Sequence, residues 1–299
     1  MSVLPSTAEF MTSAVRNGTP VQENFHKFFE CWLAEQNHYL QELLSASKDN
    51  NNPNRNEDPA RADEEEEKVL RPLINRVVRH YEEYYKAKSI WVEHDVLRML
   101  SPTWRSKLED AFLWIGGWRP SIAFHLLYSK SGLQLENHLT ELFRGLRTGD
   151  LADLSPSQLT RIDELQRKTI REEKEVTEKM AKHQETIADS SMVELSHVVT
   201  ELMNDRDGER SSHGDAEREA ERERVNSALK RKEQGLERIV EKANDLRLRT
   251  LEGVIEILRP MQAVHFLIAA AELHLRLHDW GLDKDTSNHR AGSGTNHHG

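Results

Sequence analysis

Proline is absent from the whole stretch between Pro156 and Pro260. A proline inside a helix costs about 3 kcal/mol, because it removes a backbone donor and clashes with the preceding turn. The same stretch is rich in Glu, Lys, Arg, Leu and Ala, which are all strong helix formers. It therefore predicts long helices, with one polar interruption at residues 205–216.

Apolar residues in this stretch recur every three or four positions, the spacing of one face of an α-helix. The stripe after the interruption contains Leu229, Leu236, Ile239, Val240, Ala243, Leu246, Val254, Ile257 and Leu258. A weaker stripe before it includes Leu159, Ile162, Leu165, Val176 and Ile187. Two long helices joined by a polar segment predict an antiparallel helical hairpin. A free coiled coil is the alternative, although polar residues interrupt both stripes.

The first half of the chain is also helical in pattern but contains more breaks. Residues 48–62 are a polar loop by composition. Ser101-Pro102 and Ser155-Pro156 each resemble an N-cap followed by proline at the first helical position. No segment combines two-residue alternation with hairpin turns. We predict an all-α, multi-helix bundle over residues 20–283, with disordered segments at 1–19 and 284–299.

Composition and missing motifs exclude several classes of protein. The net charge of -10 argues against electrostatic capture of nucleic acid. No apolar run reaches the roughly 18 residues of a membrane-spanning helix. The single cysteine, Cys31, excludes a disulfide framework and suits a reducing compartment. There is no Walker loop, G-x-G-x-x-G, G-x-S-x-G or H-E-x-x-H, so we expect no enzymatic activity.

Two of the fifteen histidines, His274 and His278, form a candidate ligand pair. A spacing of four places both imidazoles on one helix face, about 6 Å apart at Cβ. This arrangement suits a shared metal, or a haem iron held by one imidazole with the second nearby. The alternative is structural, because histidines near a helix C-terminus favour its negative end and bond acidic neighbours. The apolar residues 263–271 would supply a wall for a haem.

The helix at residues 23–46 is unusually aromatic and is the candidate partner surface. Its candidate contact residues are Phe25, Phe28, Phe29, Trp32, Leu33 and Tyr39. Together they cover more than one narrow stripe, so we expect some to pack in the core and others to remain available to a partner.

Several blocks of the sequence together resemble the plant Delay of Germination (DOG) domain. They are residues 25–36, 39–43, 101–120, 154–159, 243–247, 258–262 and 273–281. The blocks follow the family's order and cover about residues 20–283. No basic zipper precedes them, so the chain is similar to the stand-alone germination-delay proteins, which are related to the C-terminal domain of TGA-type bZIP factors.

The resemblance implies a helical regulator of seed dormancy and abscisic-acid signalling, located in the nucleus and cytoplasm. Members of the family are linked to clade A type 2C protein phosphatases, through the N-terminal helix. They are also linked to haem, through histidines of a sequence block that resembles residues 273–281 and whose histidines match His274 and His278. In that block Asp279 replaces a Glu and Glu272 replaces a Lys, which makes the local field more negative.

Three other modes of action remain open. The chain could act on transcription by docking on TGA-type bZIP factors; direct DNA binding is not expected because a basic region is missing. It could form a homo-oligomer. Residues 218–249 could be a calmodulin-type target, although acidic residues interleave the basic ones.

Overall fold

The computed structural model describes residues 21–50, 59–137, 150–204 and 213–293. These residues form helices joined by short connections, and no strand occurs among them. The prediction of an all-α fold is confirmed. The helices are α1 (Val21–Asn50), α2 (Pro59–His94), α3 (Val96–Leu100), α4 (Lys107–Asp110), α5 (Ile122–Asn137), α6 (Pro156–Glu185), α7 (Ser190–Asn204), α8 (His213–Ile257) and α9 (Pro260–Ser293).

The core lies around α9, which contacts α1, α2, α4 and α5. Apolar side chains of α1, α2, α5, α8 and α9 form the larger cluster, which includes Leu43, Ile74, Phe124, Val254 and Phe266. A second cluster is aromatic and joins α1 to α2 and to the segment after α3. Within the described ranges, no helix is both long and apolar enough to cross a membrane.

The predicted antiparallel hairpin is formed by α6 and α8. Early residues of α6 meet late residues of α8, since Gln158 Nε2 donates to the Ile257 carbonyl at 2.9 Å. At the other end, His183 Nε2 donates to the Lys232 carbonyl at 2.7 Å. Gly235 permits this approach, because a Cβ there would overlap the His183 ring.

The apolar stripe of α8 is an internal packing face. Ile239, Val240, Ala243 and Leu246 are buried, and α8 contacts α2, α3, α5, α6 and α7. From Ile239 to Leu246 the stripe is therefore not the seam of a free coiled coil, and these positions are covered against a calmodulin-type partner, whereas Leu229 nearer the start of α8 is exposed.

The hairpin contains a break that the sequence pattern did not predict. α6 ends at Glu185, a 3-10 turn follows at Thr186–Ala188, and α7 begins at Ser190. Lys232 of α8 fixes this turn, because its Nζ donates to the Thr186 carbonyl at 2.6 Å and to Asp189 Oδ2 at 2.5 Å. The break is produced by a contact across the hairpin and not by proline or glycine.

One predicted helix start at a proline differs from the structure. Ser101 closes α3 as its C-cap, and the N-cap of the next helix is Ser106. The prediction at Ser155 is correct, because Ser155 caps α6 in a capping box with Gln158 and Pro156 occupies the first turn.

The predicted loop and tail boundaries also shift where the structure describes them. The loop expected at 48–62 is shorter, since α1 extends to Asn50 and α2 begins at Pro59. The tail expected at 284–299 begins as helix, because α9 continues to Ser293. No proline follows Pro260, and Asp285 Oδ2 accepts from the Lys107 backbone N–H at 3.0 Å. Residues 1–20, 51–58, 138–149, 205–212 and 294–299 lie outside the described residues.

Candidate functional site

His274 lies on α9 between two indole rings. Its ring centroid is 5.4 Å from that of Trp32 and 5.9 Å from that of Trp118. Its Nε2 is buried and has no hydrogen-bond partner among the described residues. Burial lowers the pKa of His274 to about 3, so the imidazole is neutral near pH 7.

His278 lies one turn further along α9 and bonds a buried carboxylate. Its Nδ1 is 2.9 Å from Oε2 of Glu109, and its ring meets Phe29 edge-on at 5.9 Å. Burial alone would raise the pKa of Glu109, but hydrogen bonds from His278 and Ser106 lower it to about 2. Because the carboxylate is ionised and only accepts, Nδ1 of His278 is the donor.

Glu109 also closes the N-terminus of α4. The Ser106 backbone N–H and hydroxyl donate to Glu109 Oε2 at 2.9 and 2.8 Å, and Ser106 Oγ accepts from the Glu109 N–H at 3.2 Å. This is a capping box in which the glutamate has a further partner on another helix. Arg105 lies beside it, with Nη1 3.6 Å from Glu109 Oε1 and its guanidinium over the Phe29 ring. Glu109 therefore joins α4 to α9.

The aromatic residues of α1 are interior. Phe25, Phe28, Phe29 and Trp32 each expose 1% of their surface, and Leu33 and Tyr39 are partly buried. They pack against an aromatic set from α2 and the following segment that includes Tyr84, Trp91 and Trp104. These four rings are therefore not available to a partner, because α2 and the segment after α3 cover them, whereas Leu33 and Tyr39 keep part of their surface exposed. The outer face of α1 is largely polar and consists of His26, Lys27, Glu30, Ala34, Asn37, His38 and Gln41.

A tight turn at residues 114–118 forms the floor beside His274. Gly116 has a φ of 69°, and a Cβ on it would lie 2.5 Å from the Met99 carbonyl oxygen. Arg247 of α8 donates to the carbonyls of Trp118 at 2.6 Å, of Ile115 at 3.0 Å, and of Trp114.

Buried Lys88 of α2 donates to the Gly116 carbonyl in the same turn. Burial lowers the pKa of Lys88 and takes that of Arg247 to about 10. Lys88 and Arg247, from two different helices, thus satisfy the carbonyls of one turn.

The residues present do not fit a haem in this conformation. The unpaired, neutral Nε2 of His274 has the donor chemistry that iron requires. However, the cavity beside His274 is about 160 Å³, whereas drug-sized ligands occupy pockets of roughly 300–1,000 Å³ and a porphyrin is larger than most of them. The second imidazole, His278, is held by Glu109. Among the described residues, no three His, Cys, Asp or Glu side chains are placed to hold a metal ion.

Sequence reasoning found the two histidines but missed the residues that surround them. Glu109 and Trp118 are far from α9 in the chain, Arg247 lies on the preceding helix α8, and only Glu109 carried a local signal. That signal is the Ser106-x-x-Glu109 pattern, which indicates a capping box. Nothing in the local pattern indicates that Glu109 contacts His278 across 169 residues.

Known proteins are similar to this chain over most of its length. A family model described as seed dormancy control, DOG1, matches residues 39–129. Protein DOG1-like 3 of Arabidopsis thaliana is 31% identical over 223 residues, which cover 72% of this chain and 73% of that protein. Protein DOG1-like 4 of the same species is 30% identical over 261 residues, which cover 87% of this chain and 93% of that protein.

A transcription factor is also similar. TGA2 of Arabidopsis thaliana is 27% identical over 246 residues, which cover 82% of this chain and 60% of the factor. The resemblance that the sequence blocks indicated is confirmed by both kinds of relative. Since the similarity to two DOG1-like proteins extends over most of each chain, this chain belongs to the DOG1 family.

Proposed function

We propose that the chain is a non-enzymatic regulatory protein that controls seed dormancy and the response to abscisic acid by binding a clade A type 2C protein phosphatase. The observation that carries the proposal is the similarity to DOG1-like 4 over 87% of this chain and 93% of that protein. Because a shared fold does not by itself fix a function, a binding experiment decides the matter. The proposed compartments, nucleus and cytoplasm, are checked with a fluorescent fusion.

The proposed phosphatase contact is the outer face of α1. The aromatic side of this helix is closed by α2, so a partner reaches the exposed residues on the opposite side, which include Ala34 and Asn37, and the edges of Leu33 and Tyr39. The buried rings then serve to hold α1 in place. A rigid helix face loses little conformational entropy on binding.

The test measures phosphatase affinity by calorimetry for the wild type and an Ala34→Arg, Asn37→Arg variant. Both positions are exposed and arginine is a strong helix former, so the fold is retained. We expect the affinity to fall by about tenfold or more, as for bulky charges placed at an interface. The matched control, Ile170→Arg on exposed α6 surface, retains wild-type affinity. Equal affinity of all three proteins would exclude α1 as the contact.

Haem binding at His274 and His278 stays a prediction, supported by the resemblance of residues 273–281. It requires α9 and Trp118 to separate, because the cavity between them is too small. Haemin titration followed at the Soret band tests it, with His274→Ala, His278→Ala as the variant. The control is His38→Ala, whose imidazole lies on the outer face of α1, 71% exposed. If the double variant binds as tightly as wild type, the site assignment is wrong.

A second candidate function is indirect action on transcription through TGA-type bZIP factors. The similarity to TGA2 over 82% of this chain favours it. Gel shifts with a bZIP factor and its DNA site, with and without this protein, distinguish the two functions. A supershift that needs the bZIP factor supports recruitment, and a shift of DNA by this protein alone contradicts it. A homo-oligomer would appear in the same preparations by light scattering.

A further inference from the structure

A cavity opens between α2, the residues 118–120, α5, α8 and α9. Its walls are mainly apolar and include Leu126, Leu251, Phe266 and Ala270. The volume, about 160 Å³, is close to the roughly 150 Å³ of an engineered cavity that binds benzene. The cavity therefore has room for one ring-sized ligand.

Arg247 lines this cavity and has no carboxylate partner among the described residues. Its guanidinium donates to the carbonyls of the 114–118 turn and to Asn244 Oδ1 at 2.7 Å. Buried cations are normally paired with an anion. Arg247 is thus a cation in the cavity wall whose hydrogen bonds go to neutral oxygens, with the Trp114 ring 5.3 Å from its guanidinium carbon.

Tyr85 supplies a second polar group on the same wall. Its ring packs edge-on against Tyr84 at 5.2 Å, and burial raises the pKa of Tyr85 to about 12, so the hydroxyl is a neutral donor near pH 7. Two atoms without hydrogen-bond partners among the described residues belong to the same cavity wall, namely Trp118 Nε1 and His274 Nε2. Unpaired polar groups beside an apolar space are the groups that orient a bound ligand.

The surrounding charges favour an anion over a cation. Arg105 and Arg247 are buried close to each other, and two nearby carboxylates, Glu109 and Glu173, already have partners. Glu109 accepts from His278 and Ser106. Glu173 accepts from Arg119 Nε at 2.8 Å and from the Ser121 backbone N–H at 2.5 Å.

We propose that this cavity is a binding site for a small monocarboxylate with a single ring as its apolar body. The carboxylate pairs with Arg247 and accepts from the Tyr85 hydroxyl. The ring packs against Leu126, Phe266 and Ala270. This site does not depend on the phosphatase or bZIP functions proposed above, and a porphyrin is too large for it.

The test is a titration of the full chain with benzoate, followed by ligand-observed NMR and by the shift in Tm. Benzamide, which has nearly the same shape without the charge, is the comparison ligand. We expect saturable benzoate binding with a Kd below about 1 mM, and binding of benzamide at least tenfold weaker. The Tyr85→Phe variant keeps the ring and the fold and should weaken benzoate about tenfold, the loss expected for one hydrogen bond to a charged group.

Two further variants complete the experiment. Ala270→Phe fills the cavity and should abolish binding, while Tyr128→Phe removes a hydroxyl on exposed surface that bonds Asp163 and should leave it unchanged. The proposal is overturned by any of three results. These are no saturable binding of benzoate, equal binding of benzamide, or unchanged benzoate affinity in both Tyr85→Phe and Ala270→Phe.

Discussion

Replacing Glu109 with glutamine tests whether the buried carboxylate stabilises the fold through its charge. Glutamine keeps the size of the side chain and its ability to cap Ser106, so the variant removes the charge while the geometry is kept. The carboxylate has a pKa of about 2 in the fold, against an ordinary value of 4.5. A shift of this size corresponds to about 3 kcal/mol of stability at neutral pH.

The direction of the pH dependence follows from the lowered pKa. Above about pH 4.5 the carboxylate is ionised in both the folded and unfolded chain, and its full contribution to stability is present. As pH falls from about 4.5 through 2, the unfolded chain takes up the proton first, and the contribution is lost. Wild type should therefore exceed Glu109→Gln by about 2 to 3 kcal/mol at pH 7 and by much less at pH 2.5.

The assay is urea denaturation followed by circular dichroism at pH 7, 5, 4, 3 and 2.5. The control is Glu175→Gln on the exposed face of α6, which should change the free energy of unfolding by less than about 0.5 kcal/mol. If the free energies of unfolding of wild type and Glu109→Gln differ by the same amount at every pH, the charge of Glu109 is not what stabilises the fold. Equal stability at pH 7 would refute the reasoning altogether.

Three further substitutions have expected outcomes in thermal or urea denaturation. Gly116→Ala should lower the free energy of unfolding by about 1–3 kcal/mol, because its φ is 69° and a Cβ would lie 2.5 Å from the Met99 carbonyl oxygen. The control, Gly132→Ala, has open space around it and should instead raise the free energy of unfolding by about 0.5–1 kcal/mol. Equal effects of the two substitutions would contradict this. Wild type should lose stability as pH falls below about 6.5, because the imidazole of His274 protonates in the unfolded chain while the buried one, with its pKa of about 3, does not. His274→Leu should make this loss smaller, and an unchanged pH profile would contradict the prediction. Lys232→Met should lower protection from amide hydrogen exchange at the Thr186–Ala188 turn before it affects the rest of the chain, and uniform loss of protection would contradict it.

The two histidines of the H-x-x-x-H pattern have different roles in the fold. His278 bonds the ionised Glu109, which agrees with the structural alternative that such histidines bond acidic residues. His274 stays neutral between Trp32 and Trp118 and keeps an unpaired nitrogen. In this conformation the two imidazoles therefore have different partners, and a ligand shared by His274 and His278 stays a prediction. The two imidazoles differ because His278 has an ionised carboxylate as its partner, whereas His274 is surrounded by indole rings.

The sequence alone was sufficient for the helical architecture. Helix propensity, the three-and-four spacing of apolar residues and the absence of proline between Pro156 and Pro260 are local properties, and they predicted the α6–α8 hairpin. The cap at Ser155 is also local and was predicted correctly. The family resemblance rested on short blocks of sequence in a fixed order, which can be recognised without knowledge of the fold.

The tertiary structure decided which faces are covered and which polar groups meet. The aromatic rings of α1 are closed off because α2 and Trp104 pack over them, and the pattern of α1 cannot reveal what lies opposite. The bond between Glu109 and His278 and the placement of Arg247 against the 114–118 turn join residues more than one hundred positions apart. Such contacts depend on how several helices pack at once. For that reason the cavity and its unpaired cation appear only when the chain is folded.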